Sequence, residues 1–331
     1  MLFNSWLTTY WVRLVAGLLA GAFALHGHAQ NFPNKALTIV VAYPAGGASD
    51  FSARVMSKEM SPLLNQPIMV ENLLGVGGSL GTAKVIAAAP DGYTLLLSSP
   101  IETILTPMAY SSVKYKPEDL KTVALLGKTS LMLVTRKDLG ANTVEELIAL
   151  AKKADKPLSY CTPGIGSNYH MVTERFAQIG GFKTIHAPYS GFPQCITNMV
   201  GGQIDFAFFP IAATFPGFVD SGSLKGLAVT GATPSARMAK LPTMTSVKGF
   251  EGYVFDVWAA IHVSSKVPDS VVAILNKAAL ATVAKDEVRK VFEQTGATMV
   301  APMSAEQAEA FYKQEVANYQ AMAKSINLQP Q

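Results

Sequence analysis

The stretch Val40-Val-Ala-Tyr-Pro-Ala-Gly-Gly-Ala-Ser-Asp-Phe51 decides how the chain is read. Leu37–Ala42 is an apolar, β-rich run and predicts a buried strand. Pro44 and the pair Gly46-Gly47 break it. Ser49 and Asp50 are residue types that cap helices, and Phe51–Met60 has helical spacing. The unit is strand, glycine turn, helix start. Glycines allow a sharp turn and leave backbone N–H groups uncovered. The first N–H groups of a helix lack internal partners and carry partial positive charge, which suits an anion such as carboxylate or phosphate. Many turns of this kind bind nothing. The weight comes from a second copy of the same logic, Thr162-Pro-Gly-Ile-Gly-Ser-Asn-Tyr-His170.

Outward from Leu37, strand and helix patterns alternate. The Phe51–Leu64 helix is followed by a short strand at Ile68–Glu71, a glycine loop at Gly75–Gly81, a helix at Thr82–Ala89 and a strand at Tyr93–Leu97. A second series opens with the β-rich run Val123–Arg136. It continues with a helix at Thr143–Lys153 capped by Thr143, the strand Leu158–Cys161 and the helix Asn168–Ile179. Further strands fall at Thr184–Ala187, Asp205–Phe209, Leu224–Thr230 and Trp258–Val263, with helices at Pro193–Val200, Ser270–Lys285 and Ala305–Ile326. Such alternation predicts an α/β fold with a mainly parallel sheet. Ligands of such sheets sit beyond the carboxyl ends of the strands, where Pro44–Ser49 and Ser98–Pro100 fall. No linker separates the two series. Two domains joined by crossing strands, near Leu125–Lys128 and Val229–Gly231, and enclosing a cleft are therefore expected.

The chain has 331 residues, enough for two domains, of which 49% are apolar and 15% charged. Its net charge of +4 comes from scattered lysines and arginines, which gives no nucleic-acid signature. Residues 1–29 differ from the rest. Arg13 is their one charge, Leu14–Leu25 is apolar, and Gly27-His28-Ala29 sets small residues at the cleavage positions. This predicts a signal peptide cut before Gln30 and an exported mature protein without a membrane span. Two cysteines remain, Cys161 and Cys195. An oxidising compartment permits a disulfide between them, but spacing alone cannot place them in bonding range, and two buried thiols are the expectation.

At this point the motifs resemble the periplasmic solute-binding proteins of tripartite tricarboxylate transporters, the Bug family. The residues that carry the resemblance are Tyr43–Asp50, Glu71-Asn72 with Gly75–Gly81, and Ala89–Thr94, followed by Pro163–His170, Pro188–Gly191, Gly201–Asp205 and Leu241–Thr243. The set, in this order behind a signal peptide, spans the mature chain. The resemblance implies a type II periplasmic-binding-protein fold of α/β class, with two lobes, a hinge and a ligand cleft. On it, residues 30–125 and 231–331 form lobe 1 and residues 126–230 form lobe 2. It further implies a periplasmic monomer that holds a small organic carboxylate and delivers it to membrane permease subunits, without cofactor or metal. One carboxylate of the ligand would be gripped by the two glycine loops. The sequence departs from the family pattern at Asn72-Leu-Leu-Gly-Val-Gly-Gly78, which lacks a basic residue and a proline, at Asn198 in place of aspartate, and at His262–Lys266 in place of a proline-rich turn.

The candidate ligand-binding residues follow. Ala45, Gly46, Gly47, Ala48 and Ser49 supply N–H groups and a hydroxyl beside Tyr43, against the alternative of a plain turn. Asp50 is read as a cap or positioning carboxylate, since it would repel an anion. In the second loop, Gly166, Ser167, Asn168 and His170 repeat this chemistry, with Thr162 as a further hydroxyl. The alternative for His170 is a tie between loop and helix. Ser98 and Ser99 end a strand at the cleft. Tyr189, Phe192, Phe208, Phe209 and Phe215 would wall the far end, although Phe206–Phe209 at strand spacing also fit a core. Pro210–Ala213 follows toward the cleft. The missing basic residue near Leu73 and these aromatic rings favour an acid with an apolar or aromatic body. A competing enzymatic reading places Ser79 in Gly77-Gly-Ser-Leu-Gly81, a G-x-S-x-G motif. That serine stands well beyond the strand end, and His170, His186 and His262 lack a supporting pattern.

Overall fold

A computed structural model describes residues 32–330 apart from 190, 213 and 295. The expected signal peptide lies outside the described residues. In chain order the elements of the first half are β1 (Leu37–Val41), α1 (Ala48–Leu64), β2 (Ile68–Asn72), α2 (Ser79–Ala87) and β3 (Thr94–Ser98). A π-helical turn, Ile101–Leu105, then runs into α3 (Thr106–Ala109). The middle of the chain comprises β4 (Leu120–Arg136), α4 (Val144–Lys153), β5 (Leu158–Thr162), α5 (Asn168–Gly180), β6 (Thr184–Pro188), α6 (Phe192–Val200), β7 (Phe206–Pro210), α7 (Phe215–Asp220) and β8 (Leu224–Val229). The last part holds β9 (Asp256–Ser264), α8 (Asp269–Val283), α9 (Asp286–Gln294), β10 (Thr298–Met299) and α10 (Ala305–Ser325).

The long strand β4 organises the rest. The sheet order is β2-β1-β3-β9-β4-β7-β5-β6, with β8 and β10 also pairing to β4. β1 lies parallel to β2 and β3, and β5 parallel to β6 and β7. The two joining strands are not parallel to their neighbours: β9 runs antiparallel to β3 and β4, and β4 antiparallel to β7 and β8. β4 pairs with β9 as far as Ser130↔Asp256 and with β7 from Leu131↔Pro210 onward. One strand therefore serves two lobes and changes lobe at Ser130–Leu131.

Each lobe has its own apolar core. Leu37, Ile39 and Val41 of β1 pack with Met56 and Met60 of α1, Leu95 of β3 and Leu275 of α8. Such continuous apolar runs are the mark of strands covered on both faces. In the second lobe Leu133, Tyr160, Phe176, Phe206 and Phe208 form the centre. Met244, Val247, Phe250 and Tyr253 pack into that second core. The segment 231–255 thus lies on lobe 2, not on lobe 1 as expected, because its apolar side chains are buried there. The return crossing sits at Phe255–Asp256, where Phe255 N–H donates to the Thr230 carbonyl (3.2 Å), and not at Val229–Gly231.

Local signals explain some element ends. The Thr143 hydroxyl accepts from the Glu146 N–H (3.1 Å) and so caps α4. The helix α1 begins at Ala48 with Gly47 in the cap position, ahead of the Phe51 start expected from spacing. The pattern expected as one helix, Ser270–Lys285, is α8 and is followed by the separate α9. Cys161, at the end of β5, is bonded to Cys195 of α6 with Cα atoms 5.7 Å apart. The expectation of two buried thiols is therefore corrected: β5 and α6 stack directly, which spacing along the chain could not show. Among the described residues no helix is long and apolar enough to cross a membrane.

Candidate functional site

A cavity of about 600 Å³ lies between the lobes, at the carboxyl ends of β1 and β3. Gly46, Gly47 and Ser49 line it from the first glycine turn, and Ser98 and Ser99 from the end of β3. Gly127, Lys128 and Thr129 of β4 form its floor, at the lobe crossing. Tyr169 of α5, Phe192 of α6, Pro210, Ala212 and Phe215 complete the wall from lobe 2. Ala213, read with them, lies outside the described residues. Phe51, Trp258 and Phe292 add rings from lobe 1.

The first turn is fixed by Asp50. Its carboxylate accepts from the Gly46 N–H (2.9 Å), from Arg54 Nε (2.9 Å) and from Asn72 Nδ2 (3.0 Å). The hydrogen bond from Arg54, then that from Gly46, hold its pKa down to about 2. Asp50 is thus a positioning group, as its charge suggested, and it commits one expected ligand donor, the Gly46 N–H. Ser49 and Ser52, in the first turns of α1, have hydroxyls without a hydrogen-bond partner among the described residues. The Ser49 N–H belongs to the helix start, where no intrahelical acceptor exists. Ala45 is exposed and does not line the cavity, and Ala48 opens the helix.

Three expected hydroxyls serve the scaffold. The Ser98 hydroxyl lies 2.7 Å from His262 Nδ1 and 3.1 Å from the Ala260 carbonyl. The Ser99 hydroxyl and N–H both donate to Glu102 (2.6 and 2.5 Å), and the Tyr43 hydroxyl donates to the same carboxylate (2.8 Å). Glu102 is wholly buried, and burial pushes its pKa up. Sequence reasoning missed this carboxylate, since nothing around Ile101–Thr103 marks it as internal. Tyr43 and Ser99 are therefore placed by a buried acid, and Tyr43 does not line the cavity.

The second loop is also tied to itself. The Ser167 hydroxyl donates to the Gly164 carbonyl (2.8 Å) and accepts the His170 N–H (3.3 Å), capping α5. Gly166 N–H donates to His170 Nδ1 (3.1 Å), the tie between loop and helix. The Thr162 hydroxyl contacts His186 Nε2 (2.7 Å) and the Gly164 carbonyl (3.0 Å). His186 stacks on His170 with ring centres 4.3 Å apart. Burial, then the neighbouring His170, lower the His186 pKa to about 4. Asn168 is buried, and its Oδ1 has no partner among the described residues. None of Thr162, Gly166, Ser167, Asn168 and His170 lines the cavity; the loop reaches it through Tyr169 alone. Tyr169 is 7% exposed, and its hydroxyl has no partner among the described residues.

Of the expected distal rings, Phe192 and Phe215 line the cavity, while Phe208 and Phe209 are core. The Asn198 amide donates to the Tyr189 hydroxyl (2.5 Å), away from the cavity wall. Leu73 packs on Val40, Val85 and Leu96 and does not line the cavity. Ser79 is buried at the start of α2, and His170, His186 and His262 bond to Gly166, Thr162 and Ser98 respectively.

With the cavity set between two lobes on this sheet order, comparison with known proteins is decisive. Residues 52–328 match the profile described as tripartite tricarboxylate transporter family receptor. The chain belongs to this receptor family. Protein BugT of Bordetella pertussis is 30% identical over 276 residues, 82% of this chain and 83% of that protein. The solved structure of the periplasmic binding protein BugD is 27% identical with a TM-score of 0.75, covering 91% of this chain and 100% of that one. Rpa4515 of R. palustris with adipate shares the fold at a TM-score of 0.78 and 24% identity, covering 91% of this chain and 100% of that one. The type II two-lobed α/β fold and the Bug-family solute-receptor class implied by the motifs therefore hold.

Proposed function

We propose that the chain is an exported receptor that captures one small organic carboxylate in the interlobe cavity and presents it to membrane permease subunits of a tripartite transporter. The observation that carries this reading is a helix start with its hydroxyls in the wall of the interlobe cavity. The start of the 17-residue helix α1, the Ser49 and Ser52 hydroxyls, unpartnered among the described residues, and Tyr169 of α5 all line this one cavity, whose wall is otherwise mostly apolar. A helix start and charge-assisted hydrogen bonds stabilise an anion in such a place. Family membership supports a receptor that works in the periplasm without chemistry on its ligand. Lobe closure would turn about Lys128–Leu131 and Phe255–Val257, where both crossings lie.

A thermal-shift screen of carboxylates, with ligand recovered by mass spectrometry, tests the proposal. A matching acid at a hundredfold excess over Kd stabilises by about 2.7 kcal/mol and is recovered unchanged. If no carboxylate shifts the melting temperature, the carboxylate-receptor reading is overturned; if the protein hydrolyses esters and loses that activity in Ser79→Ala, the hydrolase takes its place.

A further inference from the structure

The cavity's charge and its rings point to a narrower ligand class, on the reading that it holds a carboxylate. On the lobe 2 side Tyr169 meets Phe192 edge to face at 4.8 Å, and Phe192 meets Phe215 edge to face at 5.0 Å. The three rings are in serial contact and all line the cavity. Trp258 and Phe292 line the cavity from lobe 1. Flat apolar bodies pack well on such surfaces, and aromatic pairs gain beyond their buried area.

Among the described lining residues Lys128 is the one charged side chain. Its ammonium is already held. Lys128 Nζ lies 3.1 Å from Asp256 Oδ2, and Asp256 Oδ1 accepts the Ser130 hydroxyl at 2.7 Å. Glu315 of α10 faces the same ammonium and Asp256 from behind the crossing strands, in a crevice that all three line. One carboxylate of a ligand finds the start of α1 and its hydroxyls. A second carboxylate would lose its water among rings without a free cation to replace it, and burying an unpaired charge is costly. We infer that the cavity selects monocarboxylates with a flat apolar body, and that Asp256 sets this preference by holding Lys128.

Calorimetric titration of wild type, Asp256→Asn and Asp256→Asn/Lys128→Met with benzoate and adipate tests this. Wild type binds benzoate at least tenfold more tightly than adipate, about the worth of one charged hydrogen bond. Asp256→Asn keeps an acceptor for Ser130 and removes the charged partner 3.1 Å from the ammonium, so adipate gains about tenfold on the same scale. The double variant loses that gain, which separates a freed cation from a loosened fold. Phe192→Leu weakens benzoate about three- to tenfold, as expected for one lost ring pair. Tighter adipate than benzoate in wild type, or an unchanged ratio in Asp256→Asn, overturns the inference while leaving carboxylate capture standing. Failure of benzoate, adipate and every other carboxylate to bind overturns both.

Discussion

Gly166 of the second glycine loop lies against Ala109 of α3 across the lobe boundary. A Cβ built on Gly166 would stand 2.2 Å from Ala109 Cβ, and Gly166 has φ +75°. Gly296 makes a similar approach from lobe 1, where a Cβ would stand 2.0 Å from the Ile211 carbonyl oxygen of lobe 2. The lobes meet where a side chain cannot fit, and the cavity lies between them.

Gly166→Ala should therefore hold the lobes apart and weaken ligand binding. Its positive φ alone costs about 1–2 kcal/mol. Gly140 has φ +83° and open space around the same position, so Gly140→Ala carries the strain without the clash. Titration calorimetry should show at least a tenfold loss of affinity in Gly166→Ala, about 1.4 kcal/mol, and little change in Gly140→Ala. Equal losses in the two variants would mean that strain, not the interlobe contact, is responsible.

Ser49 and Ser167 should separate cleanly. Ser167 caps α5, so Ser167→Ala should cost roughly 1 kcal/mol of stability in denaturant titration and leave ligand affinity nearly unchanged. Ser49 lines the cavity, and its hydroxyl has no hydrogen-bond partner among the described residues. Ser49→Ala should lower affinity about tenfold if that hydroxyl donates to a carboxylate, with stability retained. The reverse pattern would return the anion grip to the second loop.

Those two serines also show what the sequence could and could not reveal. Both follow glycines at a helix start, so both read as anion donors. Only the fold shows that the Ser167 oxygen turns back to Gly164 and His170. The strands were legible because runs such as Leu37–Val41 and Phe206–Phe209 are apolar beyond any helix period. Lys128, Trp258 and Phe292 were not legible as site residues. They stand on β4, β9 and α9, far apart in sequence, and only the strand crossing brings them to one wall. Glu102 was equally hidden, because nothing local distinguishes a buried glutamate from a solvated one.

Cys161 and Cys195 close a loop with a separation of 34 residues. Replacing both by serine should remove about 3–4 kcal/mol of stability on the loop-entropy scale. Melting curves with and without reductant check this: wild type should fall on reduction and the double variant should not. Equal curves for oxidised and reduced wild type would remove the bond from the account of stability.

His262 is fully buried between Ser98 and Thr122, and burial lowers its pKa to about 3. The unfolded chain protonates this group near its ordinary pKa of about 6.5, while the folded protein keeps it neutral. Its stabilising contribution is therefore complete above about pH 6.5 and falls as the pH drops toward the folded value, by up to about 1.4 kcal/mol per pH unit. Unfolding free energies between pH 7 and pH 4.5 should decline with this component in wild type. In His262→Gln the component should vanish. A slope unchanged by the substitution would show that other groups drive the acid sensitivity.

Whether one carboxylate sits at the start of α1 is read by titration with benzoate against its neutral amide, benzamide. The two share a ring and differ in charge. Wild type should bind benzoate at least tenfold more tightly, since charge-assisted hydrogen bonds are worth roughly 1.5–3 kcal/mol each. Tyr169→Phe and Ser49→Ala should reduce that advantage. Equal affinity for acid and amide in wild type would contradict this placement of the carboxylate.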